Sequence, residues 1–274
     1  MKLGLGLTMA GALLAAAFAA AQAQPAGAPT HLSLSYDGDL YIKVLDLHLD
    51  QRIAPDRYES KVALRAYGVL AAFKKFDIKA AAHGRVENGA PRPGAFIYDN
   101  QDGERLRKVQ INWKPGEVVA TSNPPFGKNM GSPPASPAQK LAAADPLTQI
   151  LRITLAAQPS QICAGSPEFF DGKQLYALDF GPGRSVPTDA GQRALGLTST
   201  VRCDVTYREI AGFKPRNAKN RGEALKSGIH VVFGQLGASG PWVIARITAD
   251  TKFGAAVIVL RRLQADVGET ASAG

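Results

Sequence analysis

The chain has 274 residues, 45% of them hydrophobic, with a formal net charge of +9 and two cysteines. That length suits one large β domain or two small ones, with apolar residues enough for a sizeable core. The positive balance favours anionic neighbours such as lipid headgroups, or serves solubility alone. No nucleic-acid recognition motif is present, and no nucleic-acid partner is expected.

The first segment reads as a secretory signal peptide. Lys2 supplies a positive start, Leu3 to Ala20 is an uncharged apolar run, and Ala21-Gln22-Ala23 is a small-x-small cleavage pattern. Removal after Ala23 leaves an exported protein; a retained membrane anchor is the alternative. Residues 24–30 read as a flexible start, and residues 31–263 as a single domain.

Period-two alternation, the mark of half-buried strands, dominates that domain. Leu32, Leu34 and Tyr36 face one way, with His31, Ser33 and Ser35 on the other side. The next strand places Leu40, Ile42 and Val44 on one face, then switches to Leu45, Leu47 and Leu49. Such a phase slip predicts a β-bulge, which bends a sheet. Tyr58, Val62, Leu64 and Ala66 alternate with charged residues, as do Phe76, Ile78, Ala80 and Ala82, while Val109, Ile111 and Trp113 alternate with Lys108, Gln110 and Asn112. These patterns predict antiparallel pairing, because parallel strands covered on both faces read as continuous apolar runs.

Residues 122–144 hold five prolines and read as a long loop, either a flap or a connection. A helix is predicted over about 146–157. Asp145 is a good N-cap and Pro146 a good first residue, and Leu147, Ile150, Leu151 and Leu155 fall at helical spacing. A single amphipathic helix in a strand-rich chain is expected to plug the concave side of a sheet, with a partner-binding helix as the alternative.

Strands resume with Tyr176, Leu178 and Phe180, then Val201, Cys203, Val205 and Tyr207, then Ile229, Val231 and Phe233. Trp242–Ala249 and Ala255–Leu263 form a closing hairpin, and residues 264–274 read as a disordered tail. The isolated pair Cys163 and Cys203 is expected to form a disulfide in an oxidising compartment, two free buried thiols being the alternative.

The chemistry-bearing residues are sparse. Four histidines, at 31, 48, 83 and 230, are scattered, and no H-E-x-x-H, G-x-S-x-G or phosphate-cradling loop occurs. Asp46, His48 and Asp50 share a strand face within reach of a metal, or form a solvated polar face. No catalytic residue, metal or cofactor is expected. Two candidate surfaces remain. One is a concave apolar groove of Tyr36, Tyr58, Phe76, Trp113, Leu151, Tyr207 and Phe233, open to an acyl chain or filled by the helix as core. The other is a basic cluster, Lys214, Arg216, Lys219, Arg221 and Lys226, which attracts an anionic lipid or charged partner, or simply keeps a loop soluble.

An ordered set of motifs carries a resemblance. Tyr36-x-Gly38 comes first, then Asp145-Pro146-Leu147, then Phe170-Asp171-Gly172-Lys173 leading into Tyr176-Ala177-Leu178-Asp179-Phe180. Cys203-Asp204-Val205-x-Tyr207 is followed by Ile210-Ala211-Gly212-Phe213-Lys214-Pro215, and Trp242 opens the last hairpin. Over about residues 32–263 this resembles the bacterial exported family known as domain of unknown function 3108. Its pattern is similar to the EipB envelope-integrity proteins and, distantly, to the lipoprotein carriers LolA and LolB. The chain departs from the family ending: Ala245 stands where an Asp is usual, and Ala255-Ala256 where a Pro is.

The alternating segments count to about ten to twelve strands, and the resemblance implies that they form a mainly β fold, a β-spiral or half-barrel wrapped around one helix. It also implies a periplasmic location and transfers no catalytic residue. The function expected is non-enzymatic support of the cell envelope, by binding a lipid, lipopolysaccharide, lipoprotein or envelope protein, with peripheral membrane contact. A scaffold with a filled cavity and an envelope hydrolase are the alternatives.

Overall fold

Alternating sequence becomes one long antiparallel meander. The computed structural model describes residues 29–68, 71, 77–101, 106–126, 133–156, 159–213, 228–251 and 254–267. Its first half runs β1 (Pro29–Leu40), β2 (Ile42–Ile53), β3 (Arg57–Ala66), β4 (Asp77–Glu87), β5 (Ala90–Asn100), β6 (Arg107–Lys114) and β7 (Glu117–Asn123). Helices α1 (Pro137–Ala142), α2 (Pro146–Thr154) and α3 (Pro159–Ile162) come next. The second half is β8 (Glu168–Phe170), β9 (Leu175–Phe180), β10 (Arg184–Val186), helix α4 (Ala190–Ala194), β11 (Leu197–Ala211), β12 (Ile229–Leu236), β13 (Trp242–Thr251) and β14 (Gly254–Val267).

Among the described residues, all fourteen strands belong to one sheet, ordered β7-β6-β5-β4-β3-β2-β1-β14-β13-β12-β11-β9-β8, with β10 on β11. The two half-meanders join where the first strand pairs with the last. The β4–β5 turn is Asn88-Gly89, both at positive φ (52° and 74°), the hairpin geometry that matches strand twist.

The sheet curls because it is bulged. The register of β1 and β2 passes from Gly38–Leu45 to Asp39–Lys43, leaving Val44 as the extra residue where the phase of the sequence slips. Further shifts fall at His83/Gly84, Glu209/Ala211 and Val232/Phe233. The curl brings the ends of the strand order together. A Cβ on Gly172, between β8 and β9, would stand 2.4 Å from Val109 Cγ1 of β6. The outer edge of β8 is covered by Ala144, which bridges Phe169 in parallel and accepts the Phe170 amide at 2.9 Å. An edge treated this way offers no template for a foreign strand.

Helix α2 fills the enclosed space. Asp145 caps it, accepting the Thr148 amide at 2.9 Å, and Pro146 begins it. Five of its nine residues are buried, so the helix is enclosed on more than one face. Leu147 and Leu151 pack in a cluster with Leu34, Tyr36, Tyr58 and Phe96. A smaller cluster surrounds the Cys163–Cys203 disulfide, whose Cα atoms are 5.5 Å apart, and includes Phe233 and Trp242.

Several bounds differ from the sequence reading. The strands exceed the expected number, since short β8 and β10 carry too few residues to show a period. The proline-rich loop contains α1, with a capping box between Ser136 and Gln139. Helix α2 ends at Thr154. β1 begins at Pro29, and β14 runs past Leu263 to Val267, because backbone pairing with β1 holds residues whose side chains show no apolar pattern.

Candidate functional site

The buried side of α2 carries a satisfied polar network. Thr148 Oγ1 donates to Asp145 Oδ2 at 2.5 Å, and the Tyr58 hydroxyl lies 2.6 Å from Thr148 Oγ1. Gln149 Nε2 donates to the Glu168 carbonyl at 2.6 Å. Arg152 Nε donates to the Pro91 carbonyl at 3.0 Å, and its Nη1 to Gln149 Oε1 at 3.1 Å. Burial raises the Asp145 carboxyl above its ordinary range, while its bonds from Thr148 oppose the rise. Burial likewise lowers the Arg152 guanidinium. These groups pin the helix to both halves of the sheet.

The lumen beside the N-terminus of α2 is open. A chamber of about 850 Å³ lies between β5, β6, the chain after β7 and the β8–β9 turn. Register places Phe96 and Tyr98 of β5 opposite Ile111 and Val109 of β6. Phe96, Tyr98 and Val109 form one apolar wall, and Tyr176 forms another. The Tyr176 ring is stacked between Phe169 and Tyr207, each centroid 5.1 Å away.

The turn at Asp171-Gly172-Lys173-Gln174 shapes the rim. Asp171 Oδ1 accepts the amides of Lys173 at 3.0 Å and Gln174 at 2.7 Å. This is an Asx-type turn, and Gly172 meets its positive φ of 96°. Burial raises the Asp171 carboxyl above its ordinary range. The turn carries Lys173 to Phe126, with Nζ 4.7 Å from the ring centroid. Arg107, at the start of β6, brings its guanidinium carbon to 4.7 Å from the same ring. Such cation–aromatic contacts contribute about 0.5–2 kcal/mol each, more when desolvated. Among the described residues, the chamber thus combines an aromatic and aliphatic wall with a polar rim that carries Arg107 and Lys173.

The residues of the predicted groove separate. Tyr36, Tyr58 and Leu151 are buried together, with Trp113 half-buried against them. Phe233 belongs to the disulfide cluster. Tyr207 joins the aromatic stack with Tyr176 and meets Phe213 edge-on at 6.3 Å. Phe76 lies outside the described residues, as do Lys214, Arg216, Lys219, Arg221 and Lys226. Arg107, Phe126 and Lys173 were not candidates from sequence. Phe126 sits in the proline-rich stretch, and only the Asp171-Gly172-Lys173 turn motif pointed toward the rim.

A larger cleft, about 1000 Å³, lies on the outer polar face across β14, β1, β2 and β3. Both of its carboxylates are paired with cations. Lys43 Nζ is 2.8 Å from Asp37 and 2.6 Å from Asp46, and Arg261 Nε is 3.0 Å from Asp37. His48 Nδ1 is 3.2 Å from Ser35 Oγ, while Asp50 pairs with His31 Nε2 at 2.7 Å. Among the described residues, no three His, Cys, Asp or Glu side chains are grouped to hold a metal.

A curved antiparallel sheet around a helix defines a half-barrel protein. No family model matches the chain, and no curated protein does. A solved structure with a similar course is the crystal structure of a beta-barrel-like protein of domain of unknown function DUF1849 from Brucella abortus. It is 10% identical, with a TM-score of 0.45, covering 88% of this chain and 99% of that one. The family resemblance drawn from the motifs stays a resemblance. No helix among the described residues is long and apolar enough to cross a membrane.

Proposed function

We propose that this chain is a non-enzymatic protein of the periplasm that supports the cell envelope by holding an apolar envelope component, a lipid or the acyl chain of a lipoprotein. The chamber beside α2 is where that component sits, and the rest of the lumen is permanent core. The observation that carries this reading is an 850 Å³ space with aromatic and aliphatic walls, continuous with the core. Its size falls in the range of about 300–1,000 Å³ used by ligand pockets. The Cys163–Cys203 bridge fits an oxidising compartment and secures the strands on the far side of the helix. The signal segment ending at Ala23 and the basic stretch Lys214–Lys226 fit export and contact with an anionic surface, lipopolysaccharide included.

Protein purified from the periplasm, extracted for lipid and weighed by native mass spectrometry, tests the reading. A co-purifying lipid that is lost in a Leu106→Trp variant, which adds bulk at an exposed residue of the chamber lining, is the expected result. A clean apo mass, with stability unchanged on adding lipid, overturns it.

A scaffold role is the second reading. It is favoured by the completely buried Leu151 and by the satisfied Asp145–Thr148–Tyr58 network, which leave nothing to rearrange around α2.

A further inference from the structure

The chamber has a chemical polarity beyond its apolar walls. Two cations, Arg107 and Lys173, converge on one ring, Phe126, at its rim. Among the described residues, the carboxylate that lines the chamber is Asp171, whose Oδ1 is committed to two backbone amides of its own turn. Burial also disfavours its charge. The buried Nε of Arg107 has no hydrogen-bond partner among the described residues. Asn100 and Gln174 add neutral amides to the lining. A partly desolvated guanidinium beside an ammonium is completed by an oxyanion, which accepts charge-assisted hydrogen bonds from both.

Resting on the reading of the chamber as an apolar-ligand site, we infer that its ligand is an anionic amphiphile. The carboxylate or phosphate head lies at Arg107 and Lys173. The hydrocarbon lies along Phe96, Tyr98, Val109 and Tyr176. The arrangement selects against neutral amphiphiles of equal chain length, whose uncharged oxygens bond Arg107 and Lys173 more weakly than an oxyanion does, and against cationic ones, which the rim repels. Ring faces beside the cations are compatible with this, since Phe126 supports the charges without competing for their N–H donors.

Calorimetric titration of the delipidated mature protein tests the inference, using laurate, dodecyl phosphate, neutral monolaurin, dodecyltrimethylammonium and inorganic phosphate, with amphiphiles below their micellar concentrations. The expected result is that laurate and dodecyl phosphate bind at least about tenfold more tightly than monolaurin, with inorganic phosphate far weaker. Arg107→Gln and Lys173→Gln should each remove most of that preference while monolaurin affinity stays within about twofold, and Arg107→Lys should keep most of it. Unchanged monolaurin binding also reports that the variants are folded. Equal affinity for laurate and monolaurin overturns the charge inference and leaves the apolar chamber standing. So does a preference that survives both Gln variants. Inorganic phosphate binding as tightly as dodecyl phosphate overturns the amphiphile. Failure of every amphiphile to bind overturns the reading of the chamber itself.

Discussion

The Tyr58 hydroxyl of β3 and the Thr148 hydroxyl of α2 lie 2.6 Å apart in the sealed interior, and Thr148 passes its own proton toward Asp145. This one contact ties the wall of the half-barrel to the cap of the helix that fills it. It works because Gly84, opposite Tyr58 in the sheet, has no side chain. A Cβ there would stand 2.8 Å from the Tyr58 ring and 2.0 Å from the Arg92 carbonyl oxygen.

Two substitutions should separate the bond from the space it needs. Tyr58→Phe removes the donor and should cost about 1 kcal/mol in urea unfolding. Gly84→Ala forces the ring and the β5 backbone apart and should cost roughly 3 kcal/mol. Equal effects would mean that the close approach is not what constrains position 84.

Leu151 is completely buried where α2 meets the sheet. Leu151→Ala should lower unfolding free energy by about 3–4 kcal/mol, the cost of a buried cavity. A loss under about 1 kcal/mol, measured by denaturant titration, would show that the helix is not fixed in the lumen.

Asp145 carries a pH dependence of definite sign. Burial raises its pKa above the ordinary 3.8. A raised acid stabilises the fold when protonated; that contribution is complete below the unfolded value and is lost as pH rises through the folded one. Asp145→Asn keeps an N-cap acceptor and does not titrate. The stability of wild type relative to the variant should therefore fall as pH rises above the ordinary aspartate value and through the raised one. Parallel pH profiles of the two proteins would contradict this.

The Cys163–Cys203 bridge closes a loop with a sequence separation of 40. Replacing both cysteines by Ser should cost about 2–4 kcal/mol, and the unreduced protein should show no reactive thiol after denaturation. Two reactive thiols would refute the bridge.

Much of this protein is legible one segment at a time. The alternation of Leu32, Leu34 and Tyr36, the phase slip beside Val44 and the Asp145-Pro146 start of the helix are local, because strand period, bulge and cap each depend on a few neighbouring residues. Two cysteines allow a single disulfide, and Cys163–Cys203 is the one formed. What only the tertiary structure decided is which faces meet. β1 beside β14, the turn at Gly172 against Val109, and the gathering of Arg107, Phe126 and Lys173 around one space arise from strand order and curl. Alternation reports that a side chain faces inward; it carries no record of which distant inward face the bent sheet sets opposite. For that reason Tyr36, Tyr58 and Leu151 became sealed core, while the open chamber formed from residues that no single stretch of sequence brings together.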